Sequence, residues 1–106
     1  LTECRLTTSW MRSEAGRSAW REGPLVAAEL LAFFARTPKR RPPGPDDMRA
    51  VHLRADDRRG RLAGARRRRE AGVASPADLD AIVAAERETA AAERMIFGQA
   101  EVQGDG

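Results

Sequence analysis

Glu70-Ala71-Gly72-Val73-Ala74-Ser75-Pro76-Ala77-Asp78 is the stretch that decides the fold of this chain. Glycine takes the left-handed conformation that ends an α-helix, so Gly72 reads as a stop. Ser75 is a helix-capping residue, Pro76 suits the first helical position, and Asp78 stands where a capping box needs an acceptor. One helix therefore ends and another begins within a few residues. So short a connection folds the second helix back on the first.

Outward from this turn, apolar spacing predicts a helix over about 46–71, capped by Asp46 or Asp47, and a second over about 76–97, stopped by Gly98. In an antiparallel hairpin closed this tightly, facing residue numbers sum to about 145. That register sets Leu62 against Val83, Ala55 against Ala90 and Met48 against Phe97, and also Arg59 against Glu86 and His52 against Glu93. On helical wheels Met48, Val51, Ala55 and Leu62 form one stripe, and Leu79, Val83, Glu86, Ala90, Glu93 and Phe97 form the other. Glu86 and Glu93 interrupt that second stripe. They could join His52 as metal ligands or as acid and base, or form interhelical ion pairs that set the register. The Glu-x-x-His motif of helical-bundle metal sites is absent, which favours ion pairs. Gly60 and Gly64 fall on the opposite face beside Leu53, where they either admit a close neighbour or mark a break in the helix.

Upstream, Gly23-Pro24 opens a short apolar helix over about 24–36. Leu25–Ala35 is apolar almost all round, which suits the central helix of a small bundle or a helix that docks on a protein partner or a second copy. Residues 1–9 show no apolar period and are expected to fray, with Ser9 or Ser13 capping a helix through Arg21. Thr37–Pro45 reads TPKRRPPGP, whose four prolines exclude a helix. The expected organisation is an N-terminal helical segment (1–36), a Pro-rich basic linker (37–45), the hairpin (46–98) and a disordered tail (99–106).

Composition agrees with an all-α bundle of one domain. The chain has 106 residues, and Ala, Arg, Glu and Leu dominate while β-branched residues are few. Cys4 and His52 are the sole cysteine and histidine, so neither an intramolecular disulfide nor a cysteine-based zinc site can form. No cofactor, metal or catalytic constellation is expected, and an enzyme is not. The eleven residues of Leu25–Ala35, which include Glu29, are too few to span a bilayer, and Leu1–Ser9 lacks the features of a secretory signal. A cytoplasmic location is the expectation.

Charge supplies the functional reading. Residues 1–74 carry 17 basic and 9 acidic side chains, a balance of +8, and residues 75–106 carry 2 and 7, a balance of −5. Eighteen of the nineteen basic residues are arginine, a bias that a GC-rich genome also produces. Position must therefore carry the case. Arg49, Arg54, Arg61, Arg67 and Arg68 fall away from the hairpin seam, and Lys39, Arg40 and Arg41 in the linker can extend that surface. A helix face of this kind can follow a phosphate backbone, so the chain reads as a small basic helical protein that binds nucleic acid non-specifically. No base-reading motif or aromatic ladder accompanies the arginines. The competing readings are a helical protein-interaction module or homo-oligomer without enzymatic activity, and a translated reading frame without selected function.

Overall fold

A computed structural model describes residues 2–37 and 41–98. Among the described residues five α-helices follow one another: α1 (Thr2–Arg12), α2 (Glu14–Glu22), α3 (Pro24–Arg36), α4 (Pro45–Glu70) and α5 (Pro76–Glu93). The last runs on into a π-helical turn, Arg94–Gly98. No strand occurs among the described residues, and the chain is all-α. The expected tail at 99–106, and Lys39 and Arg40 of the linker, lie outside the described residues.

The bundle is organised around α3. Leu25, Val26, Ala27, Ala28, Glu29, Leu30, Phe33 and Phe34 are all buried, and α3 packs against α2, α4 and α5. A helix apolar on nearly every side can only be satisfied by neighbours on several sides. Of the two readings of Leu25–Ala35, the structure has the central helix of a bundle, and the docking on a partner or a second copy is corrected: the bundle itself covers most of the segment. Phe34 is the largest fully buried side chain, and it holds Trp10 at 5.7 Å and Phe33 at 5.5 Å between ring centroids.

The N-terminal segment is more ordered than its sequence suggests. Helix α1 covers residues expected to fray, and Met11 at its end is fully buried. Of the two caps expected for the helix through Arg21, Ser13 is the one observed: it precedes α2, and its hydroxyl donates to the Trp10 carbonyl at the break between α1 and α2. Gly16 makes this corner possible. A Cβ there would sit 2.0 Å from the Met11 carbonyl oxygen, so α2 turns back so tightly that only glycine fits.

Helix α4 starts one residue before the predicted cap. Pro45 takes the first position, and the Asp47 carboxylate accepts from the Gly44 N–H at 2.8 Å. At its far end the Gly72 N–H donates to the Arg69 carbonyl and the Val73 N–H to the Arg68 carbonyl, with Gly72 at φ +77. These two bonds are the Schellman termination, and they satisfy carbonyls that the helix leaves open. Ser75 and Asp78 then exchange hydrogen bonds at 3.1 and 3.0 Å across the start of α5. Arg68 reaches Asp78 and Arg58 reaches Glu88, the same number of residues back along α4 as forward along α5. The two helices therefore run in opposite directions.

The face of α5 turned inward is not the predicted one. Ile82, Ala85 and Ala92 are buried, followed by Ile96, whereas Leu79, Val83 and Phe97 are each more than two-fifths exposed. The pairs Arg59–Glu86 and His52–Glu93 do not form: Arg59 bonds Asp56 at 2.7 Å, and His52 bonds Glu22 at 2.6 Å. Two facts explain the rotation. Helix α5 packs against α3 as well as α4, so its inward face must serve two neighbours. The predicted stripe would also carry Glu86 and Glu93 inward at a heavy desolvation cost, whereas the observed face has only Thr89, whose hydroxyl donates to the Ala85 carbonyl. Gly60 settles the glycine question. Helix α4 runs through it, and no atom lies within 4 Å of a Cβ placed there, so no neighbour approaches.

Candidate nucleic-acid interface

Helix α4 buries Val51, Ala55, Leu62 and Ala65 and half-buries Arg58 between them. Arg54, Arg61 and Arg68 recur at seven-residue spacing along one edge of that face, about 10 Å apart by helical rise. Arg49 and Arg67 lie farther round, on the outer surface. The chain thus presents the predicted arginines outward, but it neutralises most of them itself. Arg49 bonds Asp46 at 2.9 Å, Arg61 bonds Asp57 at 2.7 Å, and Arg68 grips Asp78 with two nitrogens at 2.9 and 2.8 Å. Arg41 bonds Asp47 at 2.6 Å and stands 5.6 Å above the Phe33 ring. Of the described residues in the sequence-derived set, Arg54 and Arg67 alone have no carboxylate partner among the described residues.

The pairs alter the charges they hold. Hydrogen bonding and attraction to Asp78 raise the Arg68 pKa, and the same contact, with the Ser75 backbone, holds the Asp78 carboxyl well below the usual range. Arg41 and Asp47 shift in the same opposed directions for the same reasons, with the Gly44 N–H adding to the effect on Asp47. These four groups remain ionised at neutral pH, and each basic member already has an anion. A phosphate must compete with it.

Near the ends of α3 and α4, three further arginines are free of that competition. Arg66 and Arg69 flank Arg67 in the last turns of α4, and Arg36 ends α3, all exposed and without an ion-pair partner among the described residues. Wheel position set Arg66 and Arg69 aside, because their direction matches the seam. At the end of α4 the seam has run out, and side chains aimed that way reach solvent. Arg36 carried no signal beyond its place in a last helical turn, where a cation suits the helix dipole.

Arg36 and Arg54 come together across a cleft of ≈480 Å³ between the end of α3 and the start of α4. Phe33, Thr37, Arg41, Asp47, Ala50 and Val51 complete its lining. Three guanidinium groups and one carboxylate, already bonded to Arg41, leave the cleft net basic. Guanidinium groups bind phosphate oxygens through parallel N–H donors, so the cleft suits a phosphate better than a neutral solute. Phe33 is only 7 % exposed and offers little surface for a base to stack on.

The remaining polar cluster is structural. Arg58 lies between α3 and α5, bonding Glu29 at 3.0 Å and Glu88 at 2.7 Å. Burial works against its charge, but the hydrogen bonds it donates to Glu88 and Glu29 outweigh it and raise its pKa. No group of three metal-ligating side chains gathers among the described residues, and no helix of theirs is long and apolar enough to cross a membrane. No protein-family model matches the chain, and no curated protein or solved structure is similar to it.

Proposed function

We propose that this protein binds nucleic acid without sequence preference, by phosphate contacts from the arginines of α4 that its own carboxylates leave free. The supporting observation is that Arg54 at one end of α4, and Arg66, Arg67 and Arg69 at the other, are exposed and have no ion-pair partner among the described residues. Arg36 joins Arg54 across the cleft. Arg54 and Arg69 are separated by about 22 Å of helix and point only about 60° apart around it, so together they can touch several phosphates of one strand. Binding of this kind is driven by release of counterions, so each phosphate neutralised steepens the fall of affinity with salt. Arg49, Arg61 and Arg68 are subsidiary in this scheme, because each must leave an aspartate before it can bind.

Fluorescence anisotropy of labelled duplex and single-stranded DNA, titrated at low and moderate salt, tests the proposal. The wild type binds at low salt and loses affinity steeply as salt rises. Replacing Arg54 and Arg67 with alanine flattens the log–log salt slope by about 2, whereas Arg49→Ala and Arg61→Ala together change it less. Absence of binding at low salt ends the proposal. A larger effect from Arg49 and Arg61 than from Arg54 and Arg67 would show that the free arginines are not the contact set.

A further inference from the structure

Helix α5 has a second face that the described chain leaves partly open. Leu79 and Val83, 44 % and 43 % exposed, lie on its outer side with Ala90 following in the same line. Leu79, Val83 and Ala90 point within about 40° of one another around the helix, so they form one narrow apolar line along which a second helix can lie. Ala90 is small enough to let a second helix axis come close. The flanks carry opposite charge. Glu86 and Glu93 border the stripe on one side, and Arg87 and Arg94 border it on the other. All four are exposed, and none has an ion-pair partner among the described residues.

This arrangement complements itself in one orientation. When two identical helices lie side by side and point the same way, a two-fold axis runs between them along their length. The acidic flank of each then faces the basic flank of the other. When they point in opposite ways, the axis crosses them, and each flank faces its own kind. The first arrangement satisfies four unpaired charges per chain, and the second sets acid against acid and base against base. We propose that α5 pairs in parallel with α5 of a second copy, through Leu79, Val83 and Ala90. Glu86 and Glu93 of each copy oppose Arg87 and Arg94 of the other. The contact is isologous and closes on itself, so it yields a dimer and no larger assembly. Its apolar strip is narrow, which makes the dimer a reversible one. This pairing rests on α5 and is independent of what the arginines of α4 bind.

Sedimentation equilibrium of the full chain over a wide concentration range tests the pairing. The mass rises with concentration from 11.6 kDa toward twice that value, and added salt weakens the association because opposite charges meet across it. Val83→Glu keeps the chain monomeric while its circular dichroism stays that of the wild type, since Val83 lies outside the buried core. Two charge-reversed variants give the decisive result. Glu86→Arg with Glu93→Arg makes both flanks basic, Arg87→Glu with Arg94→Glu makes both acidic, and each variant alone stays monomeric. Mixed in equal amounts, they form a heterodimer. A wild type that remains monomeric throughout, an association that salt strengthens, or a mixture that shows no more association than its parts would each overturn the proposal.

Discussion

Arg58→Met, a change at the junction of α3, α4 and α5, is expected to destabilise the bundle by about 2 kcal/mol. Glu29 is the reason. Its side chain is 8 % exposed, on a helix otherwise packed with Leu, Val, Ala and Phe, and its carboxylate bonds Arg58 at 3.0 Å. Methionine preserves the apolar stem of Arg58, which lines a groove together with Leu62, Ala81, Ala84 and Ala85. What it removes is the charge, which strands Glu29 in an apolar setting. Removing one partner of a fully buried pair costs roughly 3–5 kcal/mol. Arg58 is 24 % exposed and Glu88 about half exposed, so water already screens part of the pair, and the lower figure of about 2 kcal/mol follows. In a domain of this size such a loss lowers the melting temperature by about 10 °C. Urea denaturation followed by far-UV circular dichroism measures it. The double variant Glu29→Met/Arg58→Met supplies the refutation. With both charges gone, the junction becomes an apolar contact of similar volume, and stability returns to near the wild-type value. A double variant no more stable than the single one would mean that the loss came from packing and that the buried carboxylate was not its source.

Two glycines of similar appearance in the sequence should respond oppositely to alanine. Gly60→Ala raises stability by about 1 kcal/mol, because the helix gains propensity and the new methyl meets nothing; Gly16→Ala lowers it by about 1–3 kcal/mol, because the methyl collides with the Met11 carbonyl. Thermal melts of both variants check the pair, and a destabilised Gly60→Ala would mean that another element covers that side of α4. His52 predicts a pH dependence. Hydrogen bonds to Glu22 and then to the Met48 carbonyl raise its pKa in the folded chain, so the contact contributes fully below about pH 6.5, the unfolded value, and fades as the pH climbs through the raised folded value. The stability gap between wild type and Glu22→Gln should therefore be widest between about pH 5 and 6.5 and close toward alkaline pH; a gap that widens with pH would contradict the ion pair.

The parts of this fold legible in the sequence are those fixed by local chemistry. Gly23-Pro24 and the run from Gly72 to Asp78 carry backbone instructions that hold whatever surrounds them, so the bounds of α3 and the start of α5 could be read directly. The all-α class follows from composition in the same way. Ser13 is legible as one of two candidate caps, but the tight corner it opens is not, because Gly16 is required by a contact with Met11 and no local rule announces it. The ionic junction at Arg58 was missed for a related cause. Glu29 looks like an isolated charge in an apolar helix until α4 brings an arginine to it, and the partner could not be chosen before the packing was known.

The inward face of α5 shows why a pairwise pattern misleads in a bundle. Leu79, Val83, Ala90 and Phe97 repeat so regularly, and Arg59 and His52 stand so conveniently across from Glu86 and Glu93, that a two-helix hairpin explains them well. Helix α3 changes the outcome. It is the most apolar segment of the chain, and burying it needs α4 and α5 both to turn toward it. The face of α5 that can do this must offer Ile82 and Ile96 for volume and Ala85 and Ala92 for close approach, and it must keep the glutamates out. The first part of that repeat is then left on the surface with Leu79 and Val83 exposed, while Phe97 at its end packs edge-on against Trp20. Such a repeat carries the geometry for packing helix on helix whether or not the core takes it up. The regularity that misdirects an assignment of the core thus becomes the reason to look for a second helix outside it.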